Sequence, residues 1–263
     1  MGSTYADAFE PASLRQACTD CGIYELCLPA GIAGEDLRRL DSILRDRRPV
    51  ETGHALFHAG SPCNALHMVR SGSLMSVLTT AMGDSQVIGF HLPGEIVGLD
   101  GIGTLVHGCT TVALERSRVC ELPLPRLNEL AGKVPAVRES LNRLVSRELA
   151  GEHAHIALMG RRLAHERFAA FLLSLSLRYQ RLHRDPNVLR LGMTRNDIAS
   201  FLGLAVETVS RLFTRFHDLG MLRVQRRVVR ILDPAGLEAI CMGTQPEDVE
   251  QADIRQAGGA GLS

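Results

Sequence analysis

Residues 194–222 read TRNDIASFLGLAVETVSRLFTRFHDLGML, and this stretch decides the fold of the C-terminal part of the chain. Thr194 and Asp197 have the spacing of a capping box, which predicts that a helix begins here. Gly203 permits a turn, and a second helix is predicted from about 206 to 219, ending at a glycine. Two helices joined by such a turn form a helix-turn-helix, whose second helix enters the DNA major groove.

The outward face of the second helix carries side chains that suit DNA bases. Glu207, Ser210 and Arg211 share this face because they lie three and four residues apart, and Thr208 is a further DNA-binding candidate. Arginine can bridge guanine O6 and N7, and glutamate can accept a hydrogen bond from cytosine N4. The alternative is a solvated face on which Glu207 and Arg211 form an ion pair. Residues 222–229 then predict a wing with arginines that contact phosphate.

The composition of the chain limits the classes of protein to which it can belong. The chain has 263 residues, 45% of them hydrophobic, which supports a packed core rather than disorder. Its net charge is zero, yet residues 194–230 hold seven arginines against three acidic side chains, as a localised DNA-binding surface requires. No run reaches the roughly 18 apolar residues of a membrane span, and no signal peptide is recognisable. We therefore expect a cytoplasmic protein without membrane attachment.

Short strands separated by turns are predicted between residues 49 and 125. Apolar runs at 55–60, 65–69 and 73–78 end in turn residues, and Gly83-Asp84 separates two of the predicted strands as in a hairpin. Many short strands at this spacing are typical of an antiparallel barrel or jelly roll. A short helix is predicted before them, at about 34–46.

A helical region follows at 126–180 and carries a heptad pattern. The positions at alternating spacings of four and three are Arg138, Asn142, Val145, Leu149, Glu152, Ile156, Met159 and Leu163. This seam predicts a dimer helix. In a parallel pair Glu152 would face its own copy at low dielectric, so it either stays hydrated at the seam edge or weakens the dimer so that a ligand elsewhere decides assembly.

Three cysteines form a C-x2-C-x5-C run at Cys18, Cys21 and Cys27. In a chain without secretory features such a run favours a metal site over a disulfide, and the odd total of seven cysteines agrees. A [4Fe–4S] cluster normally takes four cysteine ligands. The candidates for the fourth are Cys63, Cys109, Cys120 and Cys241, and spacing alone does not choose among them.

Taken together, these features resemble the Crp/Fnr superfamily of bacterial regulators. The segments that carry the resemblance are 18–27, 89–98 (GFHLPGEIVG), 119–123 (VCELP) and 203–222. The implied fold is α+β, with an N-terminal cyclic-nucleotide-binding-like antiparallel β jelly roll, a long dimerisation helix and a C-terminal winged helix-turn-helix. The expected divisions are a cysteine-rich segment (1–30), the β-roll (31–130), the dimerisation helix (131–165), the DNA-binding domain (166–240) and a disordered tail (241–263).

The resemblance also implies a function, that of an oxygen-responsive regulator of anaerobic transcription. It implies a [4Fe–4S] cluster held by Cys18, Cys21, Cys27 and Cys120, because the fourth ligand precedes a Glu-hydrophobic-Pro segment. The cluster would control a homodimer whose switch residues are Val145, Leu149, Glu152, Ile156 and Met159. The DNA-reading side chains would recognise TTGAT-type half-sites in double-stranded DNA. RNA polymerase would contact exposed loops near 71–73 and 82–84, or these are plain hairpin turns.

There are three other interpretations: the first two keep the same fold and change the effector, and the third is an enzyme. A cyclic-nucleotide-responsive activator would hold the cyclic phosphate with an Arg-Ser pair in segment 105–111, which here lacks one. A zinc site or a thiol–disulfide switch could replace the cluster, although zinc prefers paired C-x2-C knuckles. An enzyme is not expected, since no nucleophile elbow, phosphate loop or H-E-x-x-H is present. Ala205 stands where relatives often cap the recognition helix with a hydroxyl.

Overall fold

The structure is a computed structural model, and it describes residues 18, 21–46, 49–80, 82–161 and 163–245. The expected disordered tail lies outside the described residues from position 246 onward, as does most of the chain before Cys21. The part of the tail that is described, 241–245, begins with the last residue of a helix.

Eight strands form the predicted jelly roll. They are β1 (Arg45–Asp46), β2 (Ala55–Phe57), β3 (Ala65–Ser71), β4 (Leu74–Thr79), β5 (Ser85–His91), β6 (Ile96–Val97), β7 (Thr110–Ala113) and β8 (Arg118–Pro123). Two antiparallel four-stranded sheets result, with strand orders β1-β8-β3-β6 and β2-β7-β4-β5. Buried side chains such as Leu74 and Val119, both 0% exposed, fill the space between them. The predicted hairpin is confirmed, with Thr79 paired to Ser85 across the turn.

In the described chain one helix precedes the jelly roll, and three further helices connect it to the C-terminal domain. They are α1 (Gly34–Ile43), α2 (Leu124–Lys133), α3 (Pro135–Met159) and α4 (Ala164–Arg181). The helical region predicted at 126–180 is thus divided into three helices. The first break precedes Pro135, which begins α3 because proline lacks the amide N–H that helix interiors need. The second break lies between α3 and α4. The expected domain boundaries at 130/131 and 165/166 fall inside α2 and α4. The long helix α3, within the expected dimerisation segment 131–165, spans Pro135–Met159.

The C-terminal domain is the predicted winged helix-turn-helix. Its further elements are β9 (Val188–Arg190), α5 (Arg195–Leu202), α6 (Val206–Asp218), β10 (Leu222–Gln225), β11 (Val228–Ile231) and α7 (Pro234–Cys241). The capping box is confirmed: the Asp197 amide donates to Thr194 Oγ1 at 3.2 Å, and the Thr194 amide donates to Asp197 Oδ2 at 2.7 Å. Gly203 has φ +61°, the left-handed conformation that the turn between α5 and α6 requires.

No helix in the described ranges is long and apolar enough to cross a membrane.

Candidate functional site

Four cysteine thiols line one cavity between the N-terminal segment and the jelly roll. Cys18, Cys21 and Cys27 come from the turn-rich stretch around the 3-10 turn Tyr24–Leu26, and Cys120 comes from β8. Two turn hydrogen bonds fold this stretch, from the Tyr24 amide to the Cys21 carbonyl at 3.0 Å and from the Cys27 amide to the Tyr24 carbonyl at 3.2 Å. All four cysteines are half-buried. The structure therefore brings together the four cysteines that the family resemblance implies as ligands.

The other cysteines lie elsewhere. Cys63 and Cys109 are buried in the jelly roll, at 1% and 6% exposure, and the Cys109 thiol donates to Asp100 at 3.6 Å. Cys241 ends α7 in the DNA-binding domain. Of the four candidates for a fourth ligand, the one that lines the cavity with the N-terminal cysteines is Cys120.

The donor set suits a metal centre that takes sulfur ligands. Burial raises the pKa of Cys27 to about 12, with the Arg147 guanidinium opposing the shift, and burial also raises the pKa of Cys18. The free thiols of both residues therefore stay protonated at neutral pH, and binding a metal centre would release their protons. Among the described residues, no three His, Cys, Asp or Glu side chains are grouped tightly enough to hold a single metal ion.

One face of α3 is apolar and is left exposed by the part of the chain that the structure describes. Val137, Leu144 and Leu158 are buried on the side that faces the protein. The exposed apolar side chains on the other side are Val145 (39%), Leu149 (54%) and Ile156 (67%). Such a stripe at heptad spacing is what a second helix covers in a coiled coil.

The seam differs from the prediction at its C-terminal end. Leu163 lies beyond α3, which ends at Met159. Met159 is half-buried and packs against the turn of the helix-turn-helix. Its Cε lies so close to Gly203 that a Cβ added to this glycine would be only 2.7 Å from it. Glu152 is exposed, and partial desolvation raises its pKa.

The recognition helix α6 presents the predicted DNA-reading face. Its inner side is buried through Val209, Leu212, Phe213 and Phe216. Glu207, Ser210 and Arg211 are exposed, and Thr208 is half-buried. No ion pair joins Glu207 to Arg211 in the described part of the chain, where the salt bridges involve other residues. Both side chains therefore remain available for a partner.

One stabilising contact of this domain was not anticipated from the sequence. The Arg195 guanidinium lies 3.0 Å from the centroid of the Phe213 ring, so that α5 is held against α6 by a cation–π contact. Burial lowers the pKa of Arg195 to about 10, which still leaves it charged at neutral pH. The sequence offered no signal for this contact, since arginine at the start of a DNA-binding helix is equally typical of phosphate contact.

The wing carries exposed positive charge. Arg223 and Arg230 are direct cross-strand partners in the β10–β11 hairpin, and both are exposed. Like charges in this position destabilise a hairpin. Arg226 in the hairpin turn has φ +54°, a left-handed conformation that favours glycine. A phosphate backbone beside this surface would offset the repulsion.

The N-terminus of α6 lacks a side-chain cap. Ala205 is the N-cap residue, and its methyl group offers no acceptor to the first amides of the helix. We expect Ala205→Ser to raise the free energy of unfolding by about 1 kcal/mol, because a serine hydroxyl accepts from such an amide. Urea unfolding would measure this gain, with Ala205→Val as the matched control, since valine cannot cap. Equal midpoints for the serine and valine variants would contradict the prediction.

Segment 105–111, in which a nucleotide-responsive activator is expected to carry an Arg-Ser pair, is hydrogen-bonded to a carboxylate of the protein. The Asp100 carboxylate accepts hydrogen bonds from the amides of Gly108 (2.7 Å) and Cys109 (3.3 Å). His107 stacks on Phe57 with ring centroids 3.7 Å apart. A carboxylate bound to these amides repels an incoming phosphate.

The two loops expected to contact RNA polymerase differ in exposure. Ser73 is 3% exposed, and its Oγ lies 2.5 Å from where a Cβ at Gly192 would be. Its part of the loop at 71–73 is thus covered by the DNA-binding domain. Met82 is 92% exposed at the tip of the β4–β5 hairpin, so the second loop is accessible.

Comparison with known proteins assigns both domains. Residues 166–240 match the Crp-like helix-turn-helix domain family, and residues 47–133 match the cyclic nucleotide-binding domain family. The transcriptional activator protein FnrA of Stutzerimonas stutzeri is 42% identical over 90% of this chain and 98% of its own length. The fumarate and nitrate reduction regulatory protein of Salmonella typhimurium is 41% identical over 87% of this chain and 91% of its own length.

A solved structure has a similar arrangement. FixK2 from Bradyrhizobium japonicum superposes with a TM-score of 0.68 at 27% sequence identity, over 75% of this chain and 96% of FixK2. The relatives are named as regulators or activators of transcription rather than as enzymes.

Proposed function

The chain belongs to the Crp/Fnr family of transcription regulators, and we propose that it is an oxygen-responsive member whose DNA binding depends on a [4Fe–4S] cluster. It is an Fnr/Anr-like transcriptional activator with a DNA-binding helix-turn-helix. The observation that carries the proposal is the cavity lined by four cysteine thiols.

The cysteine residues would hold the cluster in this cavity. Cys18, Cys21 and Cys27 supply three thiolates from the N-terminal segment, and Cys120 supplies the fourth from a strand of the jelly roll. A bound [4Fe–4S] cluster would supply the oxygen-sensitive chemistry that the thiols alone lack. Because one ligand lies on a different element from the other three, binding would join the N-terminal segment to the jelly roll.

Dimerisation would follow along α3. The exposed side chains of Val145, Leu149 and Ile156 would cover one another across a two-fold axis. The dimer would then place two α6 helices about 34–36 Å apart, one turn of DNA. Glu207, Ser210 and Arg211 would read a TTGAT-type half-site in each major groove. A monomer would bind a single half-site and lose the second.

Glu152 would oppose the dimer. In the pair each carboxylate meets its own copy, which costs free energy because like charges lose water and repel. We therefore expect Glu152→Gln to tighten dimerisation of the metal-free protein about tenfold, which corresponds to about 1.4 kcal/mol. Sedimentation velocity over a concentration series would measure it. The control is Glu35→Gln, which removes the same charge from the exposed face of α1. An unchanged dimer dissociation constant for Glu152→Gln would contradict this prediction and support the alternative, in which Glu152 stays hydrated at the edge of the seam.

The alternatives have less support. A thiol–disulfide switch needs a reactive thiolate, and burial raises the pKa of Cys18 and Cys27, which disfavours the thiolate at two of the four positions. Zinc favours paired knuckles, and the N-terminal run contains a single C-x2-C. A cyclic nucleotide would meet Asp100 where its phosphate should bind.

RNA polymerase is the proposed protein partner. The tip of the β4–β5 hairpin around Met82 is the more exposed of the two candidate loops, since Ser73 of the other loop is buried.

The test is to purify the protein without oxygen, quantify iron and acid-labile sulfide, and follow the absorption spectrum as air is admitted. About four irons and four sulfides per chain, with a visible band that bleaches in air, are expected. Colourless protein that carries zinc or no metal and still binds a palindromic site would keep the regulator and overturn the cluster.

A further inference from the structure

The dimerisation helix is hydrogen-bonded directly to the cysteine segment. Arg147 of α3 donates from Nη1 to the Leu26 carbonyl at 3.1 Å and from Nη2 to the Gly94 carbonyl at 2.7 Å. Leu26 immediately precedes Cys27, and Gly94 lies in the jelly-roll loop between β5 and β6. One half-buried guanidinium thus connects three parts of the chain: the cysteine segment, the sensor domain and α3.

Close packing holds the two acceptor carbonyls together. A Cβ at Gly94 would lie 2.8 Å from Leu26 Cβ, and Gly94 has φ +85°, so a side chain at this position would both clash and strain the backbone. A second attachment lies one helical turn earlier on α3. Ser140 Oγ and Arg143 Nη2 donate to the Ala30 carbonyl at 3.1 and 3.0 Å. The carbonyls before and after Cys27 are therefore both bonded to α3.

The attachment continues toward the DNA-binding domain. Glu95, the neighbour of Gly94, accepts two hydrogen bonds from Arg178 of α4, at 2.8 Å from Nε and 2.6 Å from Nη2. Consecutive loop residues are thus held by α3 on one side and by α4 on the other. A displacement of the Cys27 segment would move the Gly94 loop and both helices together.

Arg147 is also close to the dimer face along α3. It stands between Val145 and Leu149, two of the exposed apolar residues of the seam. Its own side chain is half-buried and points away from that seam toward Leu26 and Gly94. A shift of the Leu26 carbonyl would therefore act through Arg147 on the turn of α3 that carries Val145 and Leu149.

We propose that Arg147 is a positioning residue that couples the conformation of the cysteine segment to the dimer face of α3. This inference rests on the proposed function, in which that segment binds a cluster. Only a planar guanidinium can donate to two carbonyls from separate nitrogens in fixed directions, so lysine would not replace it.

The experiment compares Arg147→Gln and Arg147→Lys with Arg39→Gln, all purified without oxygen. Arg39 lies on α1 in exposed ion pairs, so its loss removes the same charge without touching the attachment. Iron and sulfide per chain, the dimer dissociation constant, and amide hydrogen exchange of residues 26–32 in the metal-free proteins are measured. Both Arg147 variants should keep wild-type iron, dimerise at least about tenfold more weakly, and exchange faster at 26–32, while Arg39→Gln matches wild type.

Wild-type dimerisation by iron-loaded Arg147→Gln would overturn the proposal. So would loss of iron from both Arg147 variants, since Arg147 would then act in retaining the metal. If the wild-type protein itself binds no iron, the proposed function fails, and the exchange data on the metal-free proteins still decide the attachment: unchanged exchange at 26–32 in both Arg147 variants refutes it.

Discussion

Replacing Cys120 with alanine is expected to abolish iron–sulfur absorbance and to leave the protein monomeric under anaerobic conditions. Cys120 is the ligand candidate that β8 contributes to the cavity, so its removal leaves the cavity lined by three thiols of the N-terminal segment and by none from the jelly roll. Without the second half-site, affinity for a palindromic DNA should fall about 100-fold or more, the usual size of a lost bivalent attachment. Iron and sulfide analysis, sedimentation and anaerobic DNA titration would report the three effects.

Cys241→Ala is the matched control for this experiment. Cys241 is likewise half-buried, but it ends α7 in the DNA-binding domain and does not line the cavity. It should keep wild-type iron content and dimerisation. Full iron content in Cys120→Ala, together with its loss in Cys241→Ala, would show that the fourth ligand had been assigned to the wrong residue.

Arg211→Ala should cause the second large loss, in DNA recognition rather than in assembly. Arg211 is exposed on the outward face of α6, and among the described residues it makes no ion pair that would need to be broken before it contacts a base. A bidentate contact to guanine is worth about 1–3 kcal/mol, and the dimer uses it twice. A loss of about 2–6 kcal/mol follows if the half-sites act independently.

A modified base separates base reading from general charge. Replacing the half-site guanine with 7-deazaguanine removes the N7 acceptor, and this should weaken wild-type binding but not binding by Arg211→Ala. Arg38→Ala removes an equal charge from the exposed surface of α1 and should behave as wild type on both DNAs. Equal sensitivity of wild type and Arg211→Ala to the modified base would exclude Arg211 as its reader.

Local signals made much of the C-terminal domain predictable. The Thr194–Asp197 capping box and the positive φ of Gly203 depend on residues a few positions apart, so the sequence contains the whole cause. The jelly roll was likewise predictable from its turns. The pairing of β strands into two sheets depends on residues far apart in sequence, such as Leu74 and Ala113, so local patterns do not predict it.

Long-range contacts were not accessible in this way. The spacing of the cysteines does not predict that Cys120 lies beside the N-terminal cysteines, because they are far apart in sequence. The choice of Cys120 as the fourth ligand rests on the family resemblance. The attachment of α3 to the Leu26 carbonyl was missed for a related reason: the acceptor is irregular backbone, whose position no periodicity predicts. The heptad pattern predicts a seam that continues to Leu163, because residue spacing carries no information on where a helix ends. In the structure α3 ends at Met159.

The bare apolar stripe on α3 makes the cellular amount of this protein part of its response. If pairing along Val145, Leu149 and Ile156 is weak, the number of paired molecules varies with the square of the number of chains, by mass action. Halving expression would then cut the paired form about fourfold at an unchanged oxygen level. A cell could therefore set the threshold of its switch through the copy number of the regulator, without altering any residue of the sensor.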